Sequence, residues 1–102
     1  MRLVHNVYFS LNDRSDVAAL KLVADCNLYL ASQPGILFFA AGTLAKDLNR
    51  EVNDRDWDVS LHIVFATPQH QEDYQVDPMH LKFIAENKST WAKVRVFDSL
   101  VA

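Results

Sequence analysis

The hydrophobic period of this chain switches between two and 3.6 residues in a fixed order. That order restricts the fold more than any other feature. From Leu3 to Leu11 the residues alternate: Leu3, His5, Val7, Phe9 and Leu11 share one face, and Val4, Asn6, Tyr8 and Ser10 share the other. The segment NDRSD then turns the chain, with Ser15 placed to cap a helix whose first turn holds Asp16. Val17, Leu20, Ala24, Leu28 and Ala31 recur at helical spacing until Pro34-Gly35 ends the element. Ile36 to Leu44 reads as a second strand. Trp57 to Ala66 reads as a third, with Val59, Leu61, Ile63 and Phe65 alternating against Asp58, Ser60, His62 and Val64. Thr67 and Pro68 start a short helix to Val76. Asp77 and Pro78 start another to about Asn87, and Trp91 to Asp98 reads as a last strand.

Strand, helix, strand, strand, helix pair, strand is the α+β, ferredoxin-like βαββαβ plan, a four-stranded antiparallel sheet with its helices on one face. The 102 residues make one domain, 1–102, and half of them are hydrophobic, enough for a core. The plan leaves a second sheet face uncovered. It would carry Val4, Tyr8, Val64 and Phe97 mixed with Asn6, Ser10, Ser60, His62 and Arg95. Such a face is too apolar for water and too polar for a core, so pairing of two sheets in a symmetric homodimer is expected.

Charge and composition exclude several classes. A net charge of −3, with both signs mixed along the chain, does not suit a nucleic-acid binder, which needs a basic face. The longest apolar run, Gly35 to Gly42, is too short to cross a bilayer and no signal pattern opens the chain, so a soluble, cytoplasmic protein is expected. The single Cys26 forms no internal disulfide, and its apolar helical setting predicts a buried, inert thiol. Four histidines, His5, His62, His70 and His80, lack zinc-like spacing, and His70 falls in a polar, solvated helix. No phosphate loop, nucleotide fingerprint or nucleophile elbow is present, so neither metal nor cofactor is expected. Residues 45–56 are long and dense in both charges: a solvated loop, or a lid at a pocket mouth.

The stretch YQVDPMHLKF, residues 74–83, carries the chemistry. His80, Phe83, Ile84, Asn87 and Trp91 follow helical spacing, which turns the imidazole inward, and His5 shares the more apolar face of its strand. A histidine base and a tyrosine donor, His80 and Tyr74, in a pocket lined by Phe9, Phe83 and Trp91 suit proton abstraction beside a carbonyl. The competing reading makes His5 and His80 core histidines bonded to backbone carbonyls or to Tyr74. Two function classes stay open: a binding dimer without turnover, and a cofactor-free enzyme acting on a hydrophobic oxygenated compound.

The strand VHNVYFSL, the segment YQVDPMHLKF and the ending WAKVRVFDS resemble the stress-responsive α/β-barrel (Dabb) domain family over Leu3 to Ser99. Tyr74 followed by Pro78-x-His80 is the most specific element, supported by His5. The resemblance implies a dimeric α/β barrel with helices outside, and a link to stress responses. Some members of the family close polyketide rings by aldol chemistry, and related dimeric barrels include cofactor-free monooxygenases and haem-degrading enzymes. In the cyclases a tyrosine and a histidine matching Tyr74 and His80 form the acid–base site, with a histidine matching His5 nearby. Those cyclases carry a further histidine on the third strand, where this chain has Val59, and His62 points to the opposite face. Binding of a small hydrophobic oxygenated molecule, or polyketide-cyclase-like or monooxygenase-like turnover, is what the resemblance implies.

Overall fold

In the computed structural model, which describes Met1 to Ala102, the amino-terminal alternation forms strand β1 (Arg2–Leu11). Helix α1 (Asp16–Leu30) follows, with the Ser15 hydroxyl accepting from the Ala18 amide at 3.2 Å. Strands β2 (Ile36–Thr43) and β3 (Val59–Phe65) come next. Then come α2 (Pro68–Val76), α3 (Pro78–Asn87), a single 3-10 turn and β4 (Trp91–Val101). The strands pair antiparallel in the order β2-β3-β1-β4, which is the expected ferredoxin-like plan.

Strand parity sorts the sheet into two faces. Val7, Phe9 and Leu11 of β1 and Val59, Leu61, Ile63 and Phe65 of β3 are buried under the helices. Across from them α1 contributes Ala19, Leu22, Cys26 and Leu30. The stripe that marks α1 in the sequence is therefore not the one it buries: Val17, Leu20 and Leu28 face outward. Both sets obey helical spacing, and contact with the sheet selects between them. Burial pushes the Cys26 thiol up to about 12, aided by nearby Asp25, so it stays protonated and unreactive.

Several boundaries and placements differ from the sequence expectations. Strand β4 runs to Val101 because its ladder with β1 continues to Arg2. Trp91 opens β4, as the sequence expects, so its helical spacing from His80 does not place it on α3, which ends at Asn87 before Lys88–Thr90 turn the chain. His70 is not simply solvated. Its ring lies over Gly35 and its Nδ1 is 2.9 Å from the Thr67 hydroxyl. Gly35 has φ +83, and a Cβ there would meet the imidazole at 2.2 Å. Both conditions admit only glycine.

The segment between β2 and β3 is exposed, as a solvated loop should be, but tied down by ion pairs, and it lies away from His5 and His80. Lys46 reaches Asp16 at 2.6 Å, Arg14 reaches Asp56 at 3.2 Å, and Arg95 reaches Asp54 at 2.7 Å. Val52, Asn53 and Asp54 project over the helix-free sheet face. With Asn6, Tyr8, Trp57, Arg95 and Phe97 they enclose an open cleft of about 460 Å³.

Candidate active site

The antiparallel register sets the first part of the site. His5 of β1 lies directly opposite Asp98 of β4, and both point to the helix side. Their side chains meet at 2.5 Å, His5 Nδ1 to Asp98 Oδ1, which fixes the ring and leaves Nε2 facing away from the carboxylate. His5 is buried, whereas Asp98 keeps a solvent-facing side.

The helix junction supplies the second part. Asp77 is extended, as a residue before proline must be, and its carboxylate caps α3 by accepting from the Met79 amide at 2.8 Å. The same carboxylate accepts from Gln33 at 3.1 Å. Pro78 occupies the first helical position, so the chain turns sharply and His80 enters the protein within one turn. His80 Nδ1 donates to the Gln75 carbonyl at 3.2 Å, which leaves Nε2 as the acceptor of the neutral ring. Burial lowers the His80 pKa below 6.5, and His5 nearby adds to this; the Gln75 carbonyl and Asp77 oppose it.

Tyr74, in the last turn of α2, lies between the two imidazoles. Its ring centroid is 4.5 Å from that of His80 and 5.9 Å from that of His5. Burial raises the Tyr74 pKa, so the phenol keeps its proton at any physiological pH.

These three rings stand at one end of a cleft of about 180 Å³, lined also by Phe9, Phe83, Ile84, Trp91, Val94 and Val96. The helices lie over β1, β2 and β3, while inward-facing Val94 and Val96 of edge strand β4 stay 40% and 51% exposed and form the mouth. Phe9, Phe83 and Trp91 pack as an aromatic wall, with centroids 5.0 Å apart for Phe9–Trp91 and 5.8 Å for Phe83–Trp91. The indole nitrogen of Trp91 is buried without a hydrogen-bond partner.

The structure thus brings together His5, Tyr74, His80, Phe9, Phe83 and Trp91, all singled out in the sequence. It adds Asp98, Val94 and Val96. Asp98 had a signal, since an acid alternating with outward-facing Phe97 must point inward, but its pairing with His5 needs the strand order. Val59 is sealed in the core, away from the cleft, and His62 is on the far sheet face, bonded to Asn6 at 2.8 Å and Ser60 at 3.0 Å. No cluster of three histidine, cysteine or carboxylate side chains converges as a metal site. No helix is long and apolar enough to cross a membrane.

A four-stranded antiparallel open sheet with its helices on one side, in the order βαββαβ, defines a ferredoxin-like domain. The family model of the stress-responsive A/B barrel domain (Dabb) matches residues 3–101, and the chain belongs to that family. No curated protein is significantly similar in sequence. Among solved structures, a Dabb family protein with a ferredoxin-like fold from Mesorhizobium loti superposes with TM-score 0.79 at 18% identity, covering 99% of this chain and 97% of its own. A dimeric ferredoxin-like protein of unknown function from Thermobifida fusca gives TM-score 0.79 at 16% identity, covering 99% and 92%. The hydroxynitrile lyase from Passiflora edulis gives TM-score 0.77 at 19% identity, covering 99% and 94%.

Proposed function

We propose that this protein is a homodimer that binds a small, hydrophobic, oxygenated molecule in the cleft between sheet and helices. The observation that carries this reading is the make-up of the cleft: apolar walls ending on three polar rings, Tyr74, His80 and His5. An apolar slot with a few converging polar groups is what small-molecule sites share. At about 180 Å³ it lies below the ~300 Å³ at which sites for drug-sized ligands begin, so a single-ring carbonyl or phenolic compound fits better than a fused polycycle. Role in a stress response and residence in the cytoplasm go with the family reading.

The state of the two central groups favours a second reading, turnover without a cofactor. His80 is held neutral, with Nδ1 anchored on the Gln75 carbonyl and Nε2 left to accept a proton. Tyr74 is held as a phenol and can donate to a carbonyl oxygen. Proton removal from the carbon beside that carbonyl, by Nε2, would then be matched by the Tyr74 hydrogen bond to the developing enolate oxygen. Asp98 holds His5 in one orientation beside them. The hydroxynitrile lyase among the structural neighbours shows that a chemical activity exists on this fold.

Melting curves test the binding reading. The wild type is expected to melt higher with a panel of hydroxylated acetophenones and benzaldehydes, and His80→Ala and Tyr74→Phe are expected to lose that shift while remaining folded. Turnover of a panel member should drop by ~10²-fold or more in each variant if the pair works as base and acid. If His80 is only a core residue, His80→Ala should lower stability by roughly 1–3 kcal/mol for the lost buried hydrogen bond, and no ligand should shift the wild type. That second outcome rejects the cleft as a site for this class.

A further inference from the structure

The cleft on the helix-free face is built by two strands and the loop above them. Asn6 and Tyr8 of β1 lie opposite Phe97 and Arg95 of β4, so these four side chains share one patch of sheet. Trp57 and Phe97 stand edge-on to Tyr8, at 69° and 74°, and give the cleft aromatic walls. The loop is held in place over them. Trp57 Nε1 donates to the Asp54 carbonyl at 2.9 Å, and Arg95 Nη1 donates to the Asp54 carboxylate at 2.7 Å. The resulting volume of about 460 Å³ falls within the ~300–1,000 Å³ of small-molecule sites.

Hydrogen bonds inside the protein use up the side-chain acceptors of this cleft and leave its donors. Asp54 spends Oδ2 on Arg95 and Oδ1 on the Asp56 amide, the latter at 3.0 Å. Asn53 Oδ1 accepts from both the amide and the Nε of Arg50, each at 3.0 Å. Asn6 Oδ1 accepts from His62 Nδ1 at 2.8 Å. What remains without a protein partner is Nδ2 of both asparagines and the Nε–Nη2 edge of Arg95, none of it sealed from solvent. That edge carries two parallel N–H groups, which fit the two oxygens of a carboxylate. The acid already in the cleft is matched by cations. Hydrogen bonds from Arg95 and the Asp56 amide, with the charge of nearby Lys93, hold the Asp54 carboxyl below its usual 3.8.

We propose that this cleft is a second ligand site, taking an aromatic carboxylate whose ring lies against Tyr8, Trp57 and Phe97 and whose oxygens accept from Arg95, with Asn6 and Asn53 as further donors. Such a ligand supplies acceptors where the protein has only donors left. A second copy of the chain, laid on this sheet face, would bring the same surplus of donors and could not satisfy them. Sheet pairing therefore leaves the polar end of the cleft to a ligand. The site lies across the sheet from His5, Tyr74 and His80, so it stands whether or not the histidine cleft binds anything.

Naphthalene-2-carboxylate, titrated into the full chain by calorimetry, probes the site. The wild type is expected to bind it roughly tenfold or more tighter than naphthalene-2-carboxamide, which has a similar shape without the charge. Arg95→Gln should weaken binding of the acid by about the same factor. Because Arg95 also anchors Asp54, Asn53→Asp provides a second variant. It can still accept from Arg50 but puts a carboxylate oxygen in place of the free donor, and it should weaken the acid likewise. His80→Ala should bind the acid as the wild type does. Trp91→Phe leaves Trp57 as the only tryptophan, and the acid should change its emission. No binding, equal binding of acid and amide, or wild-type affinity in both Arg95→Gln and Asn53→Asp would overturn the proposal. Loss of binding in His80→Ala with retention in Arg95→Gln would equally overturn it, by moving the acid to the histidine cleft.

Discussion

His80 owes its neutrality to the packing that makes it part of the cleft, and this has a consequence for stability. The folded protein holds the His80 pKa below 6.5 through burial, whereas in the unfolded chain the ring titrates near that value. Between the two values the unfolded state binds a proton that the folded state does not. His80 therefore contributes its full stabilisation above pH 6.5 and loses it as the pH falls toward the folded pKa. Burial shifts His62, on the far sheet face, in the same direction. Asp13 and Asp54 act at lower pH, since hydrogen bonds to Ser15 and to Arg95 lower their pKa values from 3.8, and their contribution is lost only below that value. The melting temperature is thus expected to fall in two steps on acidification, the first beginning near pH 6.5. His80→Gln and His62→Gln should each make that first step shallower, by up to about one proton in the pH dependence. A first step unchanged in both variants would show that neither ring is held neutral by the fold.

At the scale of elements, the loop between α1 and β2 shows how one residue serves two structures. Gly35 takes φ +83 and also leaves room for the ring of His70, which Thr67 orients at the start of α2. Gly35→Ala should cost about 1–2 kcal/mol for the left-handed backbone, with a further loss from the collision. Removing the ring in Gly35→Ala/His70→Ala should restore only part of the second loss, because the Cβ of residue 70 would still lie 2.7 Å from the new methyl, and none of the first, a non-additivity that denaturant unfolding can measure. Element order was legible in the sequence because each signal is local. Alternation marked the strands, and Ser15, Thr67 and Asp77 all cap the helices they precede. Local signals could not choose between the two apolar stripes of α1, because both have helical period and only contact with the sheet tells them apart. They also could not bring Asp98 to His5, which depends on β4 pairing with β1. Residues 45–56 were ambiguous for a related reason. Their charges are matched by Asp16, Arg14 and Arg95, partners distant in sequence, and the pairing sends the segment to the opposite side of the sheet from the site.

For the whole molecule the unresolved requirement is the helix-free sheet face. Phe38 and Phe97 are 56% and 54% exposed there, with Val4, Tyr8 and Val64 only partly covered. Tyr8 stacks edge-on to Trp57 and Phe97 at 5.1 and 6.0 Å, so the aromatic groups form a rigid patch. The polar groups between them already have partners: His62 bonds Asn6 and Ser60, and Arg95 bonds Asp54. Burying the face would therefore strand few polar atoms, and desolvating its apolar part is worth about 25 cal/mol per Å² before the cost of association. A second copy supplies a matching surface, and the structural neighbours include proteins described as dimeric. Phe97→Arg would place a new cation two residues from Arg95 on that face, so each sheet would bring added like charge to the contact. We expect wild type to run as a dimer by light scattering at micromolar concentration and Phe97→Arg to run as a monomer. The histidine cleft lies across the sheet, so the variant should keep the ligand-induced rise in melting temperature. A monomeric wild type, or a Phe97→Arg protein that stays dimeric, would remove the sheet face as the interface.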